Sequence, residues 1–265
     1  MKILANNIRK DIVNMIFEAG SGHLGGSLSL VEFLTALYFE KLKHDPDNPD
    51  WQERDRVILS KGHAAPVLYS VLARAGYFPV KHLLSLRKLN SDLEGHPNIK
   101  TPGIEVGTGS LGQGLSIGCG LALSFKKKMM SNITYVIMGD GELQEGQNWE
   151  AAMFAGNNNL NNLVAFVDWN DLQIDGKVSE VNGIEPLEAK WKAFNWNTRV
   201  IDGHNIDEII KTLNSGADSV KPLVIIGKTI KGKGISFMED KAEWHGKPLN
   251  KELYIKAMEQ LEIEI

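Results

Sequence analysis

Two stretches of this chain place oxygen ligands where they could hold a metal ion. Gly139-Asp140-Gly141 follows the apolar run Tyr135 to Met138, and Asn170 follows the apolar run Leu163 to Val167 and the pair Asp168-Trp169. Each run has the length and β-branched content of a buried strand that halts at a polar residue. Between them, Glu145 to Gly156 spaces Trp149, Ala152, Met153 and Phe154 at helical intervals, so Tyr135 to Asp175 reads as strand, helix, strand. A right-handed crossover makes such strands parallel, and ligands of open α/β sheets sit beyond the strands' carboxyl ends. Adjacent strands lie about 4.8 Å apart. The Asp140 carboxylate and the Asn170 amide oxygen could therefore share one hard cation such as Mg²⁺ or Ca²⁺, whose remaining ligands are commonly water and phosphate. Gly139 and Gly141 leave backbone amides free to approach a phosphate. An Asp-Gly turn and an Asn beside a helix cap would produce the same letters.

Histidines form the second set. Five of the seven, His23, His63, His96, His204 and His245, are next to a glycine, which suggests imidazoles presented from loops. His23 stands in Gly20-Ser-Gly-His-Leu-Gly-Gly-Ser27, His63 in Ser60-Lys-Gly-His-Ala-Ala-Pro66, His96 in Glu94-Gly-His-Pro97 and His245 in Glu243-Trp-His-Gly246. His204, in Asp202-Gly-His-Asn205 ahead of a helix, reads instead as a turn and cap, and His44 and His82 have no such context.

The elements that must carry these residues follow from periodicity. Lys2 to Ala19 puts Ile8, Ile12 and Ile16 on one helical face and ends at Gly20. Gly20 to Ser27 is too glycine-rich to be regular, and Ser29 with Glu32 resembles a capping box opening the next helix. Arg56 to Leu59 is a short strand followed by a helix to Gly76. Gly107, Gly109 and Gly112 have dinucleotide-fold spacing, but no buried strand precedes them and no acid follows at ribose distance, so they read as a close-approach loop before the helix Leu115 to Lys127. The small residues Gly114, Gly118, Gly120 and Ala122 suggest tight packing of that helix across an interface. Arg199 to Asp202 and Pro222 to Gly227 add strands around the helix Ile206 to Leu213, giving at least five, and a helix closes the chain.

Composition narrows the field. At 265 residues and 43% hydrophobic content, the chain fits one large α/β domain, residues 1–265, with no repeat or linker dividing it. A net charge of −4 with scattered basic residues argues against a nucleic-acid surface. Its single cysteine, Cys119, allows no intrachain disulfide and reads as a packed thiol. No apolar run approaches about 18 residues and the amphipathic start is no signal peptide, so the expectation is a cytoplasmic protein with no membrane partner.

Taken together, Gly139-Asp140-Gly141 and Asn170 about thirty residues later look like the metal-diphosphate motif of thiamine diphosphate enzymes. Within it, GDGELQEGQNWEAAMFAG is similar to transketolases at nearly every residue, and matches extend from Gly20 to about Leu249. The resemblance implies the thiamine diphosphate-binding fold, a diphosphate-binding domain with a three-layer parallel sheet and helices on both faces. It also implies that His23 and His96 contact sugar substrate, while His63 and His245 line the diphosphate and reaction centre. Gly109, Ser110 and Leu111 would touch the cofactor, as would Gly141, and Ile174 would pack near the thiazolium. Asp140, Asn170 and the carbonyl of Leu172 would hold the metal. Leu24 and Ser110 depart from the family, where prolines are usual at both places.

Family transketolases continue into a pyrimidine-binding domain whose glutamate drives deprotonation of the thiazolium C2. Only about twenty residues follow His245, and they read as one helix. The chain therefore looks like the N-terminal subunit of a split transketolase acting on sugar phosphates, with Glu145 facing a C-terminal subunit in a heterotetramer. The corresponding half of deoxyxylulose-phosphate synthase, the alpha chain of a 2-oxo acid dehydrogenase, and a non-catalytic cofactor-binding protein are the alternatives. GELQEG combined with Gly-His-Pro and Glu-Trp-His-Gly favours transketolase.

Overall fold

A computed structural model describes residues 1–215 and 220–263. Its main sheet contains β1 (Arg56–Leu59), β2 (Thr134–Gly139) and β3 (Leu163–Trp169). After a small hairpin of β4 (Leu172–Gln173) and β5 (Gly176–Lys177) outside that sheet, it is completed by β6 (Asn197–Asp202) and β7 (Leu223–Lys228). The order is β1-β2-β3-β7-β6, with every pairing parallel.

The two central strands and β7 are nearly continuous apolar runs because helices cover both faces of the sheet. Alternate strand residues serve the two layers. Tyr135, Ile137, Val164, Phe166 and Ile225 pack under α1 (Lys2–Ala19), α2 (Leu24–Leu28), α3 (Val31–Ala36) and α4 (Ala65–Ala75). Val136, Met138, Ala165, Val167 and Ile226 pack under α5 (Gly114–Lys127), α6 (Gly146–Asn157), α7 (Val178–Asn182) and α8 (Leu187–Ala193). The first layer also contains α9 (Ile206–Ser215) and α10 (Lys251–Ile263). The three-layer parallel sheet expected from the sequence is thus the observed architecture.

Several local expectations need correction. Strand β3 runs on through Asp168 and Trp169, which the apolar pattern had placed beyond its end, so Asp168 is a buried polar residue inside the sheet. The glycine-rich run Gly20 to Ser27 is not irregular throughout, since Leu24–Leu28 forms α2 with His23 at its N-cap. A Cβ on Gly25 would stand 2.8 Å from Lys231 Cγ and 3.0 Å from the Trp244 carbonyl. The glycine there allows close tertiary contact, and that contact outweighs its poor helix propensity.

Nor do Ser29 and Glu32 form a capping box. Ser29 Oγ donates to Asp168 Oδ2 at 2.6 Å, while the Glu32 carboxylate is taken by Arg9 and His204. The small-residue stripe of α5 mostly faces inward: a Cβ on Gly114 would meet Ser60, and one on Gly118 would meet Val136, both at 2.4 Å. Gly120 alone of these glycines has open space around it. Cys119 is buried and free, its thiol pushed up to about 12 by burial. No helix among the described residues is long and apolar enough to cross a membrane.

Candidate active site

Because β1, β2, β3 and β7 are parallel, their carboxyl ends open on one side of the molecule, and each delivers a polar segment there. These segments are Ser60 to His63, Asp140 to Glu142, Asn170 to Leu172, and Thr229 to Lys231. They line a cleft of about 370 Å³ that also includes His23, Gly109, Leu111, Glu145, Ile174 and His245.

Asp140 is 3% exposed. Its Oδ1 accepts from the Gly141 amide at 2.7 Å, and its Oδ2 from the amides of Asn170 (2.9 Å) and Asp171 (2.5 Å). Burial first, and the charge of Asp168 second, push its pKa up to about 6 despite these amides. Among the described residues, no Lys, Arg or His forms an ion pair with it. A buried carboxylate lacking a counter-cation suits a cation site.

The neighbouring oxygens are of the matching kind. Asn170 Oδ1 accepts from the Leu172 amide at 3.1 Å, and the Leu172 carbonyl accepts from Lys231 Nζ at 3.0 Å. One carboxylate, one amide oxygen and one carbonyl are hard donors of the Mg²⁺ or Ca²⁺ type. Such a set has only one acid, consistent with the absence among the described residues of any cluster of three His, Cys, Asp or Glu that could hold a metal.

The basic wall of the cleft went unnoticed in the sequence. Lys61 and Lys231 are both 2% exposed. Lys61 Nζ pairs with Asp168 Oδ2 at 2.5 Å, and Lys231 Nζ lies 2.9 Å from His245 Nδ1. Burial, followed by the charge of Lys61, lowers the Lys231 pKa to about 8. A polar residue just past an apolar strand, the pattern that marks Asp140 and Asn170, picks out Lys228 and Thr229 at the end of β7 and stops short of Lys231.

Glu142 was likewise missed. Its buried carboxylate accepts from the amides of Gly112 (2.9 Å) and Gly139 (3.1 Å) and from Ser60 Oγ, tying three cleft loops together. Burial raises its pKa.

Four histidines converge as the glycine contexts suggested. The His23 ring lies 5.2 Å from His63, 5.5 Å from His245 and 6.5 Å from His96, and the His63 and His245 rings are 5.0 Å apart. Burial is the largest cause holding each below its ordinary pKa, with added repulsion from Arg87 for His23 and His96, Lys61 for His63, and Lys231 for His245. His23 falls to about 4 and His245 to about 3. Near neutral pH these imidazoles are uncharged, so each can donate one hydrogen bond and accept another. His23 Nδ1 is buried without a partner, an atom left for a ligand to satisfy.

The other sequence candidates are distributed around this centre. Gly109, Leu111, Gly141 and Ile174 line the cleft, Ile174 being 70% exposed. Ser110 and His96 are exposed and lie outside its lining, and Glu145 is an exposed residue at its edge. His204, set aside as a turn and cap, accepts from the Ile230 amide through Nε2 (2.8 Å) and bonds Glu32 through Nδ1 (2.9 Å), which ties the Lys231 loop to α3.

The family model for the transketolase thiamine diphosphate-binding domain matches residues 1–264. The chain is 49% identical to the 6-deoxy-6-sulfo-D-fructose transketolase subunit SqwG of Clostridium sp. (strain MSTE9), covering 98% of this chain and 95% of that one. It is 44% identical to one of the apulose-4-phosphate transketolase subunits of Actinobacillus succinogenes, over 98% of this chain and 95% of that one. The structure of Campylobacter jejuni transketolase superposes with a TM-score of 0.93 at 37% identity, covering 99% of this chain. This chain spans 43% of that protein's length.

Proposed function

Since this chain belongs to the transketolase family through its thiamine diphosphate-binding domain, we propose that it is the cofactor-holding subunit of a two-chain transketolase. In this reading residues 1–265 form one diphosphate-binding domain. With a second subunit carrying the pyrimidine-binding domain, it transfers a two-carbon ketol unit from a ketose phosphate to an aldose, in a heterotetramer in the cytoplasm. The observation that carries the reading is the joining of a cation-deficient buried carboxylate, Asp140, to the neutral imidazoles of His23, His63 and His245 in one open cleft, with His96 beside His23. The two relatives named as subunits, each matched over 95% of its length, support the division into two chains.

Each residue's task follows from its chemistry. Asp140 Oδ, Asn170 Oδ1 and the Leu172 carbonyl hold a Mg²⁺ ion, and Lys61, Lys231 and the Gly141 amide offset the charge of the diphosphate. Thiamine diphosphate, when bound, supplies the electron sink that ketol cleavage requires. Gly109 and Leu111 support it, with Ser110 beside them, and Ile174 gives it an apolar contact. His63 and His245 stand at the reaction centre, His245 receiving a hydrogen bond from Lys231 that fixes its ring. His23 and His96 orient sugar hydroxyls and move their protons, a role open to imidazoles whose pKa burial and the Arg87 charge hold below the ordinary value. Glu145, exposed at the rim, faces the pyrimidine domain of the second subunit.

The test is an assay of ketose-phosphate cleavage with this chain alone, with a pyrimidine-domain chain alone, and with the two mixed. The mixture alone should turn over. Asp140→Ala should abolish cofactor binding that depends on Mg²⁺, read by calorimetry, while leaving the fold intact. Full activity from this chain alone, or unchanged cofactor affinity in Asp140→Ala, would overturn the proposal.

A further inference from the structure

Asp168 is the sixth residue of β3 and is fully buried. Four donors surround its carboxylate. Oδ2 accepts from Ser29 Oγ (2.6 Å), Lys61 Nζ (2.5 Å) and Asn170 Nδ2 (3.2 Å), and Oδ1 accepts from Thr229 Oγ1 (2.5 Å). These donors come from the segment before α3, from the ends of β1 and β7, and from the residue just past β3 itself. An ionised carboxylate accepts and never donates.

That one-sidedness matters for Asn170. A primary amide carries an oxygen and an NH₂ of almost equal size, so shape alone does not decide which faces a cation. Against Asp168, only the NH₂ is tolerated. The flipped amide would set its oxygen against the Asp168 carboxylate and its NH₂ against the Leu172 amide, which now donates to Oδ1, so that like groups face each other at both ends. With Nδ2 so committed, Oδ1 is the group left for the side where the Asp140 carboxylate and the Leu172 carbonyl stand.

We propose that Asp168 is a positioning residue that fixes the Asn170 amide so that its oxygen, not its NH₂, meets the divalent cation, and that it seats Lys61 beside the same site. The inference rests on the reading above in which Asp140, Asn170 and Leu172 hold that cation. It has a consequence opposite to simple charge counting. Adding a carboxylate at position 170 increases the negative charge around the cation and by that measure tightens it. With Asp168 in place, Asn170→Asp removes the donor and sets a second carboxylate within hydrogen-bonding distance of the buried one.

The experiment measures Mg²⁺ affinity in the presence of thiamine diphosphate by calorimetry, on the full chain mixed with its partner subunit, with thermal melts as the check on folding. Asn170→Asp should bind at least tenfold more weakly than wild type. Asp168→Asn/Asn170→Asp, in which the new amide at 168 can donate to the new carboxylate at 170, should regain at least tenfold over Asn170→Asp. Asp168→Ala leaves every cation ligand in place and should lose about ten- to a hundredfold, the usual effect of removing a group that orients a metal ligand. Should Asp168→Ala fail to fold, the comparison between the two variants at position 170 still decides. The proposal is overturned if Asn170→Asp binds as tightly as wild type or more so, or if the double variant does no better than Asn170→Asp. A wild-type complex without Mg²⁺-dependent cofactor binding would instead refute the cofactor reading, and this inference with it.

Discussion

Glu32→Ala is the perturbation that most directly tests how the cleft is held open. The Glu32 carboxylate is 7% exposed, accepts from Arg9 Nη2 through one oxygen and meets His204 Nδ1 at 2.9 Å through the other. Both partners in turn grip the loop that carries Lys231: Arg9 Nε donates to the Lys233 carbonyl (3.0 Å), and His204 Nε2 accepts from the Ile230 amide (2.8 Å). Removing the carboxylate strands a buried guanidinium, a change that costs about 3–5 kcal/mol. For a chain of this size, that is a fall in melting temperature of about 6–20 °C.

The loosened loop should also misplace Lys231, whose Nζ contacts the Leu172 carbonyl and His245. Loss of one charge-assisted contact, about 1.5–3 kcal/mol, weakens thiamine diphosphate by roughly ten- to a hundredfold. Calorimetric melts and cofactor titrations of wild type, Glu32→Gln and Glu32→Ala should rank in that order, because glutamine keeps one acceptor. Burial works to raise the Glu32 pKa, but the His204 hydrogen bond and the Arg9 charge outweigh it and hold the pKa below its ordinary 4.5. Its stabilising contribution is therefore complete above that ordinary value and is lost as pH falls through the lower folded one. A Glu32→Ala protein that melts within about 2 °C of wild type and binds cofactor unchanged would refute this account of the loop.

Three further outcomes are expected. His23→Ala and His96→Ala should lower kcat or raise KM with little change in cofactor affinity, and equal loss of cofactor binding in both would contradict their assignment to the sugar. Gly118→Ala should destabilise by about 1–3 kcal/mol, because its methyl would overlap Val136. Gly120→Ala, with open space around it, should stabilise by up to about 1 kcal/mol; denaturant unfolding that shows the reverse order would show α5 to be packed differently. Unfolded His23 and His245 protonate near 6.5, whereas the folded residues resist until about 4 and about 3, so their part of the stability is intact above 6.5 and declines as pH falls from there. A His23→Gln/His245→Gln variant should thus lose less unfolding free energy than wild type between about pH 7.5 and about pH 5, and an equal loss would count against buried neutral imidazoles.

What could be read from the letters alone was whatever rests on local periodicity. Apolar runs ending in Asp140 and Asn170 located two strand ends, and their spacing around a helix made the strands parallel, which obliges both residues to face the same crevice. Glycine neighbours picked out the four histidines that converge, since an imidazole beside a residue without a side chain is usually presented from a loop. Those arguments need no knowledge of distant partners. They failed wherever a distant partner decided the outcome. Gly25 lies in a helix because Lys231 and Trp244 press against it, and Ser29 gives up a capping role to donate to Asp168, 139 residues away. Lys61, Lys231 and Glu142 carry no local mark of burial, because a lysine or glutamate is expected in water until the fold surrounds it with partners. The direction in which the Asn170 amide points rests on neighbours only two residues away, but their placement comes from the fold. Its letter promises an oxygen ligand, but which end of the amide the site receives depends on the buried Asp168 carboxylate, which accepts from Nδ2, and on the Leu172 amide, which donates to Oδ1.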